Sequence, residues 1–424
     1  MKPLSRLLAA ALGLMAAACM FPAFATQEPS PEAPSAQEPS QQEPSQQEPS
    51  AQEPSQEPTT RATPSYGPET ARATREAAQR YADIAKSGGW PRIAKPLGPD
   101  SHGKPVADLR RRLAIEGYLS KDASDSANWD AALTDAVKAF QANMGLEQTG
   151  AVSRQTLREL NVKPADRARA LAATAARLSR MRFHFGDRYV TVNIPATAVE
   201  AVEGDRALAH YDAIVGGKRD PSPQIATRII SVDVNPTWTV PASIIRKELL
   251  PKLKRNPAAL ARQNIRVLDG RGREVDPSKL RRLSASRAAR FTFRQDPGPK
   301  NALGSLRINM PNSSAVFMHD TPQKKLFDRD YRFLSHGCVR VEGVYDLAAW
   351  LLDPEGKEWD EAALRDEVEQ GRTEKIRLRH PTPVAWVYMT GWATGDGPAH
   401  FRHDIYNLDR GGKSKPRHGR RARG

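Results

Sequence analysis

Cysteine is almost missing from this chain: its 424 residues contain two, Cys19 and Cys338. So few thiols exclude a disulfide framework. If Cys19 leaves with an export signal, Cys338 is alone, which leaves intermolecular pairing, metal ligation or a reactive nucleophile. Acidic residues fall short of basic ones, 49 against 64, for a net charge of +15. That balance favours anionic partners: nucleic acid, acidic lipid headgroups or an anionic cell-wall polymer. Long apolar runs are missing too. Leu7 to Ala18 is too short to span a bilayer comfortably, and no later segment is apolar for long enough. Hydrophobic residues make up only 39%, and there are 34 prolines. Both predict a sizeable unfolded segment beside ordinary domains, and the length allows two or three of these.

The N-terminus says where the chain goes. Lys2 and Arg6 precede the apolar run, and Ala23-Phe24-Ala25 supplies a small-x-small cleavage site. Residues 1–25 therefore read as a signal peptide, and the product as periplasmic, which removes nucleic acid from the list of partners. Membrane anchoring would follow only if Cys19 were lipidated, and Ala16-Ala17-Ala18 lacks the larger aliphatic residue usual before such a cysteine. Residues 26–68 repeat Gln-Glu-Pro-Ser, with nothing to bury, and read as an extended, hydrated tether. The basic tail, 410–424, reads as disordered.

Between these ends the periodicity changes once. Ala- and Arg-rich helical stretches at 69–100 and 163–185 flank a compact block, 101–162. There Val106, Leu109 and Leu113 share one face and Leu133, Val137, Phe140 and Met144 another. Gly117 and Gly145 stop two helices, and Ser153 can cap a third. Gly117-Tyr118-Leu119, the run Ala136 to Gln141, Gly145-Leu146, Gly150 and Thr156-Leu157 make this block resemble a peptidoglycan-binding module. From residue 186 to 409 alternating β-branched runs take over: 189–195, 211–216, 229–234, 291–293, 315–318 and 385–390. They are interrupted at about 241–290 by a charged, mostly helical insertion, a candidate lid.

The chemistry concentrates between His319 and Val341. An acyl-transfer enzyme needs a thiolate, a base to make it and donors for the developing oxyanion. Cys338 follows Gly337, and His319 stands nineteen positions earlier behind a strand run. The residues after Cys338, namely Val341, Val344, Tyr345, Ala348 and Leu352, form an apolar helical face that Pro354 closes. This predicts a thiol just ahead of a helix N-terminus, with a lowered pKa. A zinc site from His319, Asp320, His336 and Cys338 is one alternative, although His336 and Cys338 stand only two apart. A wall-binding protein with a degenerate catalytic body is another.

The upstream His319 and the run Ser335-His336-Gly337-Cys338-Val339-Arg340 resemble the L,D-transpeptidase (YkuD-type) family. The stretches VGGKRDPSPQ, VNPTWTVP, RQDPGPKNALGSLRINMP and MHDTP resemble its larger periplasmic members that carry a peptidoglycan-binding module. The resemblance implies an α+β multidomain chain: a mainly β catalytic domain with a helical insertion, a three-helix module and a disordered linker. It implies a cysteine acyltransferase acting on peptidoglycan stem tetrapeptides, with no metal or cofactor and with other cell-wall proteins as further partners. Cys338 would attack the diaminopimelate carbonyl, D-Ala would leave, and a second diaminopimelate amine would complete a 3→3 crosslink. Trimming or D-amino-acid exchange differ only in the acceptor. His319 would be the base, and the N–H groups of Gly337 and Cys338 the oxyanion hole. His336 and Arg340 would support the site, Asp320 would orient His319, and Trp238 and Phe317 would line the groove. A buried core residue is the plain alternative for Trp238, and a salt bridge for Arg340.

Overall fold

A computed structural model describes residues 63–352, 358–395 and 397–410. The expected signal peptide, most of the tether, Pro354 and residues 411–424 lie outside the described residues. Five helices come first: α1 (Thr70–Lys86), α2 (Lys104–Ile115), α3 (Ala131–Met144), α4 (Arg154–Leu160) and α5 (Pro164–Arg180). Their ends follow local chemistry. Asp130 accepts the Leu133 N–H at the start of α3, left-handed Gly145 stops it, and Ser153 accepts the Thr156 N–H at the start of α4. The apolar faces of α2 and α3 close on one another and on Ala77 and Tyr81 of α1 and Leu171 of α5, so the flanking helices share the module's core. Gln141 cross-links that core: its side-chain nitrogen reaches Thr149, Ala151 and Thr156, and its oxygen accepts the Gly150 N–H at 2.9 Å.

The second body is a sheet. Its strands begin with β1 (Arg188–Asn193), β2 (Ala198–Glu203), β3 (Arg206–Gly216) and β4 (Ile225–Val234). The insertion contributes β5 (Trp238–Thr239), β6 (Ile265–Leu268) and β7 (Thr292–Gln295). There follow β8 (Leu306–Asn309), β9 (Met318–His319), β10 (Phe333–Ser335), β11 (Val339–Val341) and β12 (Glu374–Val387). The main sheet runs β10-β3-β11-β9-β8-β4-β12-β1-β2, and β2 also pairs with β3, so the sheet closes on itself. Val192, Val232, Ile308, Met318, Val339 and Trp386 fill the interior. Helix α6 (Val344–Leu352) buries Leu347, Ala348 and Leu351 in the same core.

Three boundaries differ from the sequence reading. The tether does not run to residue 68. Ser65 and Tyr66 are buried, with Ser65 donating to Glu200 and the Tyr66 carbonyl accepting from Tyr189. Tyr66 also meets Phe183 and Phe185, an aromatic cluster that gives this proline-rich stretch something to bury. The insertion is not simply helical, because β5, β7 and β6 form a sheet of their own around Phe293 and Val267. Finally, the chain leaves the barrel after β12, and the hairpin of β13 (Gly391–Trp392) and β14 (His400–Phe401) joins the helical core through Ala393, Ala399 and Phe401.

Candidate active site

Two short parallel strands build the site. β9 and β11 pair with Val339 opposite Met318 and Arg340 opposite His319. Side chains alternate along a strand. Met318, Val339 and Val341 fill the barrel core, which leaves the paired residues His319 and Arg340 for the other face; Cys338, just ahead of β11, is half-buried and packs against the edge of the core. The row continues across β8, where Arg307 stands opposite His319, and into β4, where Asp233 stands opposite Arg307. Arg307 pairs with Asp233 and lies over the Phe317 ring at 4.9 Å, and Asn309 donates to Asp233 at 2.6 Å. These polar partners were not foreseen, because the short alternation of Leu306 to Asn309 was not recognised as a strand.

The turn carrying the nucleophile is held by hydrogen bonds on both sides. Ser335 Oγ donates to the Cys338 carbonyl at 2.5 Å and accepts the Gly337 N–H at 3.1 Å. Ser222 Oγ donates to the Gly337 carbonyl at 2.8 Å and accepts the Gly216 N–H at 2.9 Å. The Tyr406 hydroxyl in turn donates to the Gly216 carbonyl. Gly337 has φ 112°, a conformation that suits glycine. Ser222 lies within the stretch VGGKRDPSPQ, but nothing in that stretch announces its contact with Gly337, and Tyr406 is remote in sequence and carried no local signal.

Electrostatics set the resting state of the pair. Nδ1 of His319 lies 2.5 Å from the Asp320 carbonyl, which can only accept, so Nδ1 carries the proton and Nε2 is left as the acceptor. Burial depresses the imidazole to about 4, and the nearby Arg340 guanidinium pushes the same way against the Asp320 and Leu303 carbonyls. Burial raises the Cys338 thiol, opposed by the Phe317 amide and by the charges of Arg340 and Arg307. Thiol and imidazole are therefore both neutral at rest. Arg340 itself is half-buried and reaches Gln323 at 3.2 Å.

Several expectations change. Cys338 does not precede a helix directly: β11 intervenes, and α6 begins only at Val344. The thiol is accordingly raised by burial, not lowered by a helix dipole. The Gly337 N–H is occupied by Ser335, so it is not a free oxyanion donor. Asp320 orients His319 through its backbone. Its carboxylate is buried, accepts the Ser305 N–H at 2.9 Å and pairs with Lys324 at 2.6 Å. Left-handed Gly304 packs beneath that carboxylate, where any side chain would strike it. Trp238 packs against the insertion's own core. His336 is exposed, and its Nε2 lies 2.8 Å from Glu248 on the insertion. Neighbouring Lys247 pairs with Asp220 at 2.6 Å. Both residues lie in a π-helical turn, Ile245–Leu249. His319 and His336 are thus turned to different partners, and among the described residues no group of three or more His, Cys, Asp or Glu could hold a metal ion.

Residues 187–368 match the family model described as "L,D-transpeptidase catalytic domain", and residues 102–160 match "Putative peptidoglycan binding domain". A curated relative from Haemophilus influenzae, named "Putative L,D-transpeptidase", is 34% identical over 263 residues, covering 61% of this chain and 52% of the relative. The chain thus spans about half the length of that relative. Among solved structures, an L,D-transpeptidase from Stackebrandtia nassauensis is 14% identical, covers 72% of this chain and 98% of its own, and has a TM-score of 0.27. One from Xylanimonas cellulosilytica is 16% identical, covers 70% and 99%, and has a TM-score of 0.23.

Proposed function

Because the chain carries a catalytic domain of the L,D-transpeptidase (YkuD) family in residues 187–368 and a peptidoglycan-binding domain in residues 102–160, we propose that it is a periplasmic enzyme that crosslinks peptidoglycan through a cysteine acyl-enzyme. The observation that supports this reading is the register of β9 and β11, which pairs Arg340 with His319 and Val339 with Met318, so that Cys338 immediately precedes the strand lying beside His319.

The steps follow from the charge states. With thiol and imidazole both neutral, Nε2 of His319 accepts the thiol proton as Sγ attacks the diaminopimelate carbonyl of a stem tetrapeptide. Arg340 and Arg307 favour the sulfur anion as it forms. The carbonyl carbon–nitrogen bond then breaks, the proton passes from His319 to the leaving nitrogen, and D-Ala departs. The side-chain amine of a second diaminopimelate attacks the thioester, gives its proton to His319 and restores the thiol, which yields a 3→3 crosslink. The N–H of Cys338, which has no hydrogen-bond partner among the described residues, is the oxyanion donor in this reading.

The test is incubation of the full chain with disaccharide tetrapeptides, followed by product mass. A dimer lacking one D-Ala, absent with Cys338→Ala, supports the reading. Tripeptide alone would make the protein a trimming enzyme. No change in either would overturn it.

A further inference from the structure

Positive charge is not spread evenly along this chain. Residues 241–300 hold 16 Lys and Arg against 5 Asp and Glu, an excess of 11 within a net charge of +15 for all 424 residues. The positive field of the protein is therefore centred on the insertion.

The fold of the insertion turns that charge outward. The helix Leu250–Arg255 packs against the 3₁₀ turn Pro277–Leu280, and the short helix Ala285–Ala288 follows. Leu250, Leu253, Leu280, Leu283 and Ala288 enter the insertion's own core. Lys254, Arg255, Lys279, Arg281, Arg282 and Arg287 come from the same stretches and are exposed. The insertion's acids are engaged elsewhere. Glu248 lies beside His336, Asp269 pairs with Arg273, Glu274 and Asp296 pair with Arg266, and Asp276 bonds Ser278. The outward cations make no ion pair among the described residues.

The face also lacks what a protein partner uses. Such interfaces centre on aromatic or apolar anchors. Phe293 is buried in the insertion's core, and Trp238 and Phe291 pack against it. The exposed large apolar residues Ile115, Ile230 and Tyr331 all lie outside the insertion. A surface of lipid phosphates needs no anchor, because its potential acts on every cation within about a Debye length.

We propose that the cationic face of the insertion docks on a bilayer surface rich in anionic phospholipid headgroups. Each Lys or Arg near such a surface tightens attachment about fivefold. The Lys247–Asp220 pair joins the insertion to the loop carrying Ser222, which bonds the Gly337 carbonyl, so docking holds the catalytic barrel at the membrane. The inference rests on the periplasmic reading for access to such a surface, and it is independent of the crosslinking chemistry.

The experiment is flotation of the chain from Thr26 onward with vesicles of phosphatidylcholine alone, and of phosphatidylcholine and phosphatidylglycerol in equal parts. Flotation is expected with the mixed vesicles only, and its loss when salt rises from about 0.1 M to 1 M. Arg281→Gln with Arg282→Gln should weaken it at least about 25-fold, whereas Arg281→Lys with Arg282→Lys keeps the charge and should float like the wild type. Lys254→Gln with Arg255→Gln reads the same field if the first pair fails to fold. The basic tail is the control: Arg420→Gln with Arg421→Gln should change little. No flotation with mixed vesicles, equal flotation of wild type and both Gln pairs on the face, or a loss confined to the tail variant overturns the proposal. Displacement of the vesicles by soluble stem tetrapeptide also overturns it, and would assign the face to substrate. Acylation of Cys338, followed by mass without vesicles, stays at the wild-type level in every variant. Its absence in the wild type would count against the catalytic reading and leave the docking face standing.

Discussion

Glu248 of the insertion lies 2.8 Å from Nε2 of His336, two residues ahead of the nucleophile. With the Lys247–Asp220 pair it ties the π-helical turn to both loops that frame Gly337. The Lys247–Asp220 pair is partly exposed, so it contributes at most about 1 kcal/mol and is screened by salt. Glu248→Gln with Lys247→Ala should speed hydrogen exchange at residues 242–255 while leaving the barrel strands protected. Raising salt from about 0.1 M to 1 M, where the screening length falls from ~10 Å to ~3 Å, should have the same effect on the wild type. Unchanged exchange in both cases would show that the insertion is held by its apolar contacts alone.

The neutral thiol–imidazole pair makes a prediction about pH. His319 is depressed to about 4 and Cys338 is raised, so acylation should rise as pH climbs through about 4 and then stay flat across neutrality. Arg340 pushes both groups down. Arg340→Gln should move the acid limb towards higher pH and slow acylation at neutral pH. A wild-type limb near neutrality would instead indicate a preformed thiolate–imidazolium pair.

His319 also links folding to pH. Its folded pKa lies below the ordinary 6.5, so the unfolded chain binds more protons between pH 6.5 and about 4. Stability tied to this group is fully present above pH 6.5 and is lost as pH falls towards 4, a change of roughly 3 kcal/mol at about 1.4 kcal/mol per unit. His319→Gln should flatten the denaturant-derived stability profile across that window by a similar amount. A parallel profile would place the ring in a more hydrated setting.

Ser335 is predicted to position the nucleophile without touching substrate. Its hydroxyl joins the Cys338 carbonyl to the Gly337 N–H. Ser335→Ala should lower kcat/KM by about 10²-fold, the scale of a misplaced reacting group. Binding of free D-Ala-terminated stem should be little altered. Ser335→Thr should restore part of the loss, and full activity in Ser335→Ala would remove the residue from the account.

The sequence was most informative where chemistry is local. The helical faces of Val106 and Leu133, the stops at Gly117 and Gly145 and the cap at Ser153 all depend on neighbours a few residues away. The run from Ser335 to Arg340 is likewise legible because its chemistry is contiguous. What escaped depends on pairing across the sheet. A three-residue strand after Cys338 was hidden by the stronger helical pattern that follows it, so the thiol was placed against the wrong element. Arg307, Asp233, Ser222 and Glu248 come to the site through register and loop packing, which no spacing in the chain announces. Tyr66 was absorbed into the tether because its burial depends on Phe183, Phe185 and Tyr189, over a hundred residues away.

The most direct measurement of the central claim is the intact mass of the purified protein after exposure to a carbapenem, a β-lactam whose strained carbonyl acylates an activated nucleophile. The account predicts a single covalent adduct on the wild type, slower formation with His319→Gln and none with Cys338→Ala. A folded, reduced wild type that stays unmodified, or an adduct that persists in Cys338→Ala, would contradict an acyl-transfer site built on Cys338.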